Sequence, residues 1–511
     1  MHALGARKPS SRLLPKAPSA RARTSSSLAL RVDSLCLMTD VTGPQETEVD
    51  EVEASEIDLG FDSICDAYEF QLEALADLAN ALPASARELD DPERVAESLP
   101  KSHIPEAKQR EIGELIGRHA AASSPVSEVM RELVDRFIAE PWGSSLLHAF
   151  HQIVTRSPRL PILLQSLLTA AVGAFEAHLA SVTSQFYRAA PQALEAVARE
   201  KEKEFSLRDL KRMNTIEEAV DVAIASRVDE LLFKGYADWK RFYEERCKID
   251  FADVSLDWTR VQEVFERRHT IVHNGGRASR RYVREIGGDT KEGDELPVDE
   301  DYLLRAIDEL LVLGYLLVGE VWRKFASQPH LISHNVRQIS YRNLQRGRYA
   351  VTERFCNYGL RYPDDESDRN THLTNLWLAR KHQDGMDSIR DDVLAWDVSA
   401  SSDRFRMAKA CLLDDLDTAI PLLQSLLAAG EVSGQDILEW PLLAAVRDDS
   451  RFDQLADAVG ASLAVSDTVF ISPKGRVYHA PDCSRRGARA QPVEASEAVG
   501  RGARPCIACL S

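Results

Sequence analysis

The chain has 511 residues, too many for a single hydrophobic core, and its 44% hydrophobic and 28% charged composition is that of an ordinary globular protein. A formal net charge of −18 excludes general coating of nucleic acid by a basic surface, so any contact with a polyanion must rest on local arginine clusters. Of eight cysteines, five stand singly (Cys36, Cys65, Cys247, Cys356, Cys411) and three crowd the C-terminal tail, which suits a reducing cytoplasm and a metal-binding tail rather than a disulfide framework.

Residues 1–54 read as a disordered leader. The first 37 carry seven Lys or Arg and one acid, Asp33, a composition similar to an organelle transit peptide; the competing reading is an over-extended frame whose true start is Met38. From Asp40 to Asp58 there are eight acids and no Lys or Arg, a solvated stretch. Phe61, Ile64, Tyr68, Leu72 and Leu75 then recur at helical spacing. Pro100 and Pro105 bracket a break, and a further helix is predicted from Ser127 towards Ile138. Residues 55–156 are therefore expected to form an N-terminal helical domain, structural or partner-binding.

Residues 157–330 are expected to form an antiparallel helical bundle. Its predicted helices are Leu160–Ala189, Arg199–Met213, Ala219–Phe233, Tyr236–Cys247, Trp258–His273 and Asp299–Phe325, with a polar Gly-rich loop over Asn274–Pro297. The apolar run Leu310–Gly319 is about half the roughly 20 residues a bilayer requires, so it reads as a core helix and no membrane contact is expected.

Within this unit the segment Glu266-Arg267-Arg268-His269-Thr270-Ile271-Val272-His273-Asn274-Gly275-Gly276 carries the most chemistry. Asn-Gly-Gly is a strong helix stop, because these residues tolerate the left-handed cap. His273 then falls on the last turn, where the helix dipole favours a protonated imidazole. Histidine and arginine together suit RNA cleavage: one group removes the 2′-hydroxyl proton, another protonates the leaving oxygen, and a guanidinium stabilises the phosphate. Arg267, Asn274, Arg277, Arg280, Arg281 and Arg284 surround the pair as candidate RNA-binding residues, a basic island in an acidic chain. His269 and His273 at i, i+4 also share a face, as the histidines of zinc hydrolases do, but Thr270 stands where that motif needs its glutamate.

An Arg-x4-His motif ending a bundle helix resembles the HEPN superfamily, and the form with Asn-Gly-Gly is similar to its antiphage and toxin members. The resemblance covers about 170 residues. It implies a metal-independent endoribonuclease with Arg268 and His273 as catalytic pair and His269 as the polar residue after Arg. It also implies products ending in a 2′,3′-cyclic phosphate and a 5′-hydroxyl. Five residues on a helix span about 500°, so Arg268 and His273 point some 140° apart. A homodimer, pairing two motifs across a two-fold axis, answers that difficulty and supplies both an acid and a base.

Residues 331–462 show weak self-similarity. Asn343–Ala350 is answered by Lys409–Ala419, Leu360-Arg361-Tyr362-Pro363 supplies a helix stop, and Trp377–Asp384 is a candidate start for the unit between. The spacing resembles tetratricopeptide repeats, which implies a surface for a protein partner. Residues 463–511 change character. Thr468–Ile471 and Val477–His479 read as a hairpin, and Pro492–Ala498 as a short helix. His479 and Cys483 with Cys506 and Cys509 make a Cys3His set, closed and therefore structural, for one Zn2+ per chain. The arrangement resembles a small zinc module found at the ends of bacterial nucleases. The expected fold class is thus mainly α, a HEPN-like bundle flanked by helical domains, with a small zinc-bound α+β module.

Overall fold

A computed structural model describes residues 55–90, 104–122, 124–154, 158–194, 213, 215–251 and 256–452, and the short segments 468–471, 477–479, 490–494 and 504–505. The protein is mainly α. It comprises a large helical unit within residues 38–452 and a small unit containing the strands.

In the helical unit, α1 (Glu56–Asp90) starts at Ser55, whose hydroxyl accepts the Asp58 amide at 3.1 Å. Phe61, Cys65, Tyr68 and Leu72, alternating four and three residues apart, are buried. Three short helices follow, α2 (Glu106–Ala121), α3 (Val126–Phe137) and α4 (Gly143–Val154), with a core of their own around Leu115, Leu133 and Phe137. Next come α5 (Arg159–Ala189), α6 (Ile216–Leu232), α7 (Tyr236–Glu245) and α8 (Trp258–Asn274). The helix expected over Arg199–Met213 falls on residues that, Met213 apart, lie outside those described. The loop after α8 is not all loop: Ser279 caps a seven-residue helix, α9 (Arg280–Ile286), and Ala278, Tyr282 and Leu296 form a small core beneath it. Asp299 caps α10 (Glu300–Trp322), which is buried nearly all round and is the central helix.

One core joins α1, α5, α6, α7, α8 and α10. The boundary read at 156/157 therefore divides helices that pack together, since α1 lies along α5 and α10. By length and composition α5 is apolar enough to cross a membrane. Here Leu164, Leu168, Phe175, Leu179 and Val182 are buried in the protein core, so the helix reads as an interior one.

The same core runs on into α11 (His330–Gln345) and α12 (Tyr349–Gly359) through Ile332, Val336, Ile339, Val351 and Phe355. Four ion pairs cross this seam, all in one sense. Carboxylates of Glu69, Glu73, Asp308 and Glu309 on α1 and α10 meet Arg342, Arg346, Arg348 and Arg354 from the other side. Beyond lie α13 (Glu366–Asp384), α14 (Arg390–Ala395), α15 (Asp403–Leu412) and α16 (Leu416–Ala429). The sequence similarity around residues 347 and 414 is a repeated turn. Gly347 and Asp414 both take left-handed backbone (φ +72° and +57°), and the following amides bond back to Asn343 and Ala410, each at 2.9 Å. The middle unit starts at Glu366, capped by Asp365, and not near Trp377, which is buried inside α13.

In the small unit β1 (Thr468–Ile471) pairs antiparallel with β2 (Val477–His479), the hairpin expected. Residues 491–494 form β3 (Gln491–Glu494), antiparallel to β1, so the first three residues of the helix expected over Pro492–Ala498 are strand, and its other four lie outside the described residues; β4 (Arg504–Pro505) runs parallel to β2. The order is β3-β1-β2-β4, with Val469 and Ile471 buried.

Candidate active site at the end of helix α8

Asp257 caps α8 by accepting the Arg260 amide at 3.1 Å. The helix stops at Gly275 (φ +60°), whose amide reaches back five residues to the Thr270 carbonyl, and the Gly276 amide bonds the same oxygen at 3.1 Å. This widened last turn loosens the helix where the motif ends. The buried face of α8 is Val261, Val264, Glu266 and Thr270. Phe265 meets Phe175 of α5 at 5.5 Å and Tyr236 of α7 at 5.5 Å between ring centroids, which fixes the helix against the bundle.

His273 is exposed, and its ring lies 4.6 Å from that of His269, one turn earlier. His269 is half-buried. Burial, then the Arg281 and His273 charges, hold its imidazole below the ordinary histidine range, so it is a base rather than an acid near neutrality. Arg268 turns from this pair towards α5, donating from Nη2 to Glu176 Oε2 at 3.0 Å. No hydrogen bond or ion pair among the described residues joins Arg268 to either imidazole. The motif thus brings the two histidines together within one chain and leaves the guanidinium on a neighbouring face.

The expected basic island is charge-balanced. Arg267 bonds Glu263 at 2.6 Å and stacks on Tyr302 at 4.2 Å, and Glu263 also accepts the hydroxyls of Tyr282 and Tyr302. Arg277 pairs with Glu295, Arg280 with Glu292, and Arg284 with Glu285. Arg281 grips the buried Glu266 through three contacts of 2.7–3.2 Å. Asn274 donates to the Arg277 carbonyl at 2.7 Å, so it closes the turn. Sequence reasoning missed Glu176, Glu263, Glu292 and Glu295. Glu176 had a signal: it is the lone carboxylate in the 31-residue apolar helix α5.

Of the zinc set, His479 ends β2, while Cys483, Cys506 and Cys509 lie outside the described residues. The register pairs Tyr478 with Pro505, so the residues preceding His479 and Cys506 stand opposite one another.

Comparison with protein-family models, with characterised proteins and with solved structures finds no match to this chain.

Proposed function

We propose that this chain is a metal-independent endoribonuclease of the HEPN type, acting as a homodimer in the cytoplasm, in antiphage defence or toxin-type growth arrest. The observation that carries the reading is the His269–His273 pair at the exposed, glycine-stopped end of α8, with Arg268 beside it. An unprotonated imidazole takes the proton of a 2′-hydroxyl, whose oxygen attacks the adjacent phosphorus. A protonated imidazole of the second copy returns a proton to the departing 5′-oxygen, and Arg268 stabilises the charge gathering on the phosphate. The products are a 2′,3′-cyclic phosphate and a 5′-hydroxyl. The test is sequencing of cellular RNA ends after expression of wild type and His273→Ala. New 5′-hydroxyl ends should appear with wild type alone, and an unchanged end profile in both would remove the proposal.

A second reading, a non-catalytic scaffold that dimerises and binds a protein or nucleic-acid partner through its repeats, is favoured by the balanced charges. Each arginine offered to RNA already has a carboxylate. The scaffold would be indifferent to Arg268→Ala and His273→Ala in every assay but folding.

The same proposal assigns one structural Zn2+ to His479, Cys483, Cys506 and Cys509, supported by the Tyr478–Pro505 register. When bound, the ion would cross-link a sheet in which, among the described residues, Val469 and Ile471 are the buried core. A chelator is expected to abolish hydrogen-exchange protection at Val469 and Ile471 while leaving Val261 and Val264 protected. Retained protection in the sheet would count against the ion.

A further inference from the structure

We infer that Glu176 is an electrostatic gate on Arg268, holding the guanidinium at rest until a phosphodiester oxygen displaces it. The inference rests on the nuclease reading and concerns the regulation of that same site. It starts from how unequally the neighbouring arginines are satisfied. A guanidinium offers five N–H donors in a fixed fork. Arg281 is gripped by Glu266 through both carboxylate oxygens, and Arg267 bonds Glu263 and the Pro297 carbonyl while lying on the Tyr302 ring. These two are built into the fold. Arg268 makes one contact, to a single oxygen of Glu176, and its buried Nε has no acceptor. With one N–H engaged and 28% of its side chain exposed, Arg268 keeps donors that an incoming oxyanion can meet.

Glu176 is suited to release as well as to hold. Its side chain is 38% exposed and that of Arg268 is 28% exposed, so neither charge is stranded when the pair opens. Three residues back along α5, a side chain at Gly173 would meet nothing within 4 Å, so the helix surface beside the pair is open. An ion pair of this exposure is worth little in itself. It nevertheless cancels the charge that would draw a phosphate. The resting site is therefore neutral at Arg268, in keeping with the balanced charges around it, and the strand must compete with a carboxylate to engage it.

The experiment uses the full chain and a fluorescent single-stranded 2′-deoxyoligonucleotide, which lacks the 2′-hydroxyl nucleophile and stays uncut. By fluorescence anisotropy, Glu176→Gln should bind it about fivefold more tightly than wild type. Its affinity should also fall more steeply with salt, by about 0.7 in logarithmic slope, the contribution of one further phosphate contact. Glu176→Ala should move affinity in the same direction. Both gains should vanish when Arg268→Ala is added, because the gate acts through that guanidinium. Equal or weaker binding by both Glu176 variants, a gain that survives loss of Arg268, or no binding by any form would each overturn the gate. Failure of the nuclease reading is read separately, as the absence of RNA cleavage by wild type.

Discussion

Arg280 and Arg281 are neighbours on α9 with opposite surroundings. Arg280 is 88% exposed and pairs with Glu292, itself open to solvent, whereas Arg281 neutralises Glu266, of which 6% is exposed. An open pair is screened and contributes little, while removing the partner of a buried carboxylate leaves its charge uncompensated. Arg281→Ala is therefore expected to cost about 2 kcal/mol in urea unfolding, discounted for the half-exposed guanidinium, and Arg280→Ala close to nothing. Equal costs would show that Glu266 does not depend on Arg281. The arginines themselves were legible as a cluster, because they sit within twenty residues of one another. Their partners were not. Glu176 reaches Arg268 from 92 positions away, and Glu292 and Glu295 return only because α9 folds the loop back. A count along the sequence therefore gives an excess of positive charge that the fold removes.

At the scale of the element, the end of α8 was readable because Asn-Gly-Gly has one physical use there. Gly275 and Gly276 both adopt left-handed backbone, but they differ in what surrounds them. A side chain at Gly275 would meet nothing within 4 Å, while a Cβ on Gly276 would come within 3.1 Å of Gln165 Nε2. Gly275→Asn is accordingly expected to cost a few tenths of a kcal/mol and Gly276→Ala about 1 kcal/mol or more, compared by thermal or urea unfolding. A Gly276→Ala protein as stable as wild type would mean that the α5–α8 junction is slack. Two elements escaped sequence reasoning. The stretch around α9 reads as loop because of its glycines and charges, yet Ser279 caps it and Tyr282 anchors it. The helix expected from Pro492 onward begins on residues that are instead held as a strand, Gln491–Glu494, by pairing with β1, a long-range contact that composition does not report.

Across the helical unit, the continuous core and the one-sided seam of ion pairs make the bundle and the first repeat helices parts of one packed body. Boundaries at 156/157 and 330/331 were drawn where helix-breaking residues occur; packing ignores those breaks because α1, α11 and α12 each bury apolar residues in the bundle core. Protonation anywhere in this body is therefore expected to act on a single cooperative transition. His178, stacked on Tyr68 at 3.9 Å and donating to the Gly314 carbonyl at 2.9 Å, is pushed down to about 4 by burial, and burial does the same to His372 in α13. Below the ordinary histidine value of 6.5 the unfolded chain binds these protons and the native protein does not, until pH falls to about 4. Stability should thus drop as pH falls from 6.5 towards 4. Asp66, pushed up to about 6 by burial and by Asp62, works in the opposite sense between pH 6 and 4, and Asp308 and Asp364, also raised by burial, join it at lower pH, so the two imidazoles dominate the upper part of the interval. Urea unfolding followed by tryptophan fluorescence should show one transition whose midpoint moves down between pH 6.5 and 4.5. In His178→Phe that downward movement should be largely lost, because Asp66 then offsets His372, even though the lost Gly314 contact lowers stability at pH 7. A midpoint that stays level or rises over this interval would mean that the two imidazoles do not stay neutral in the native core.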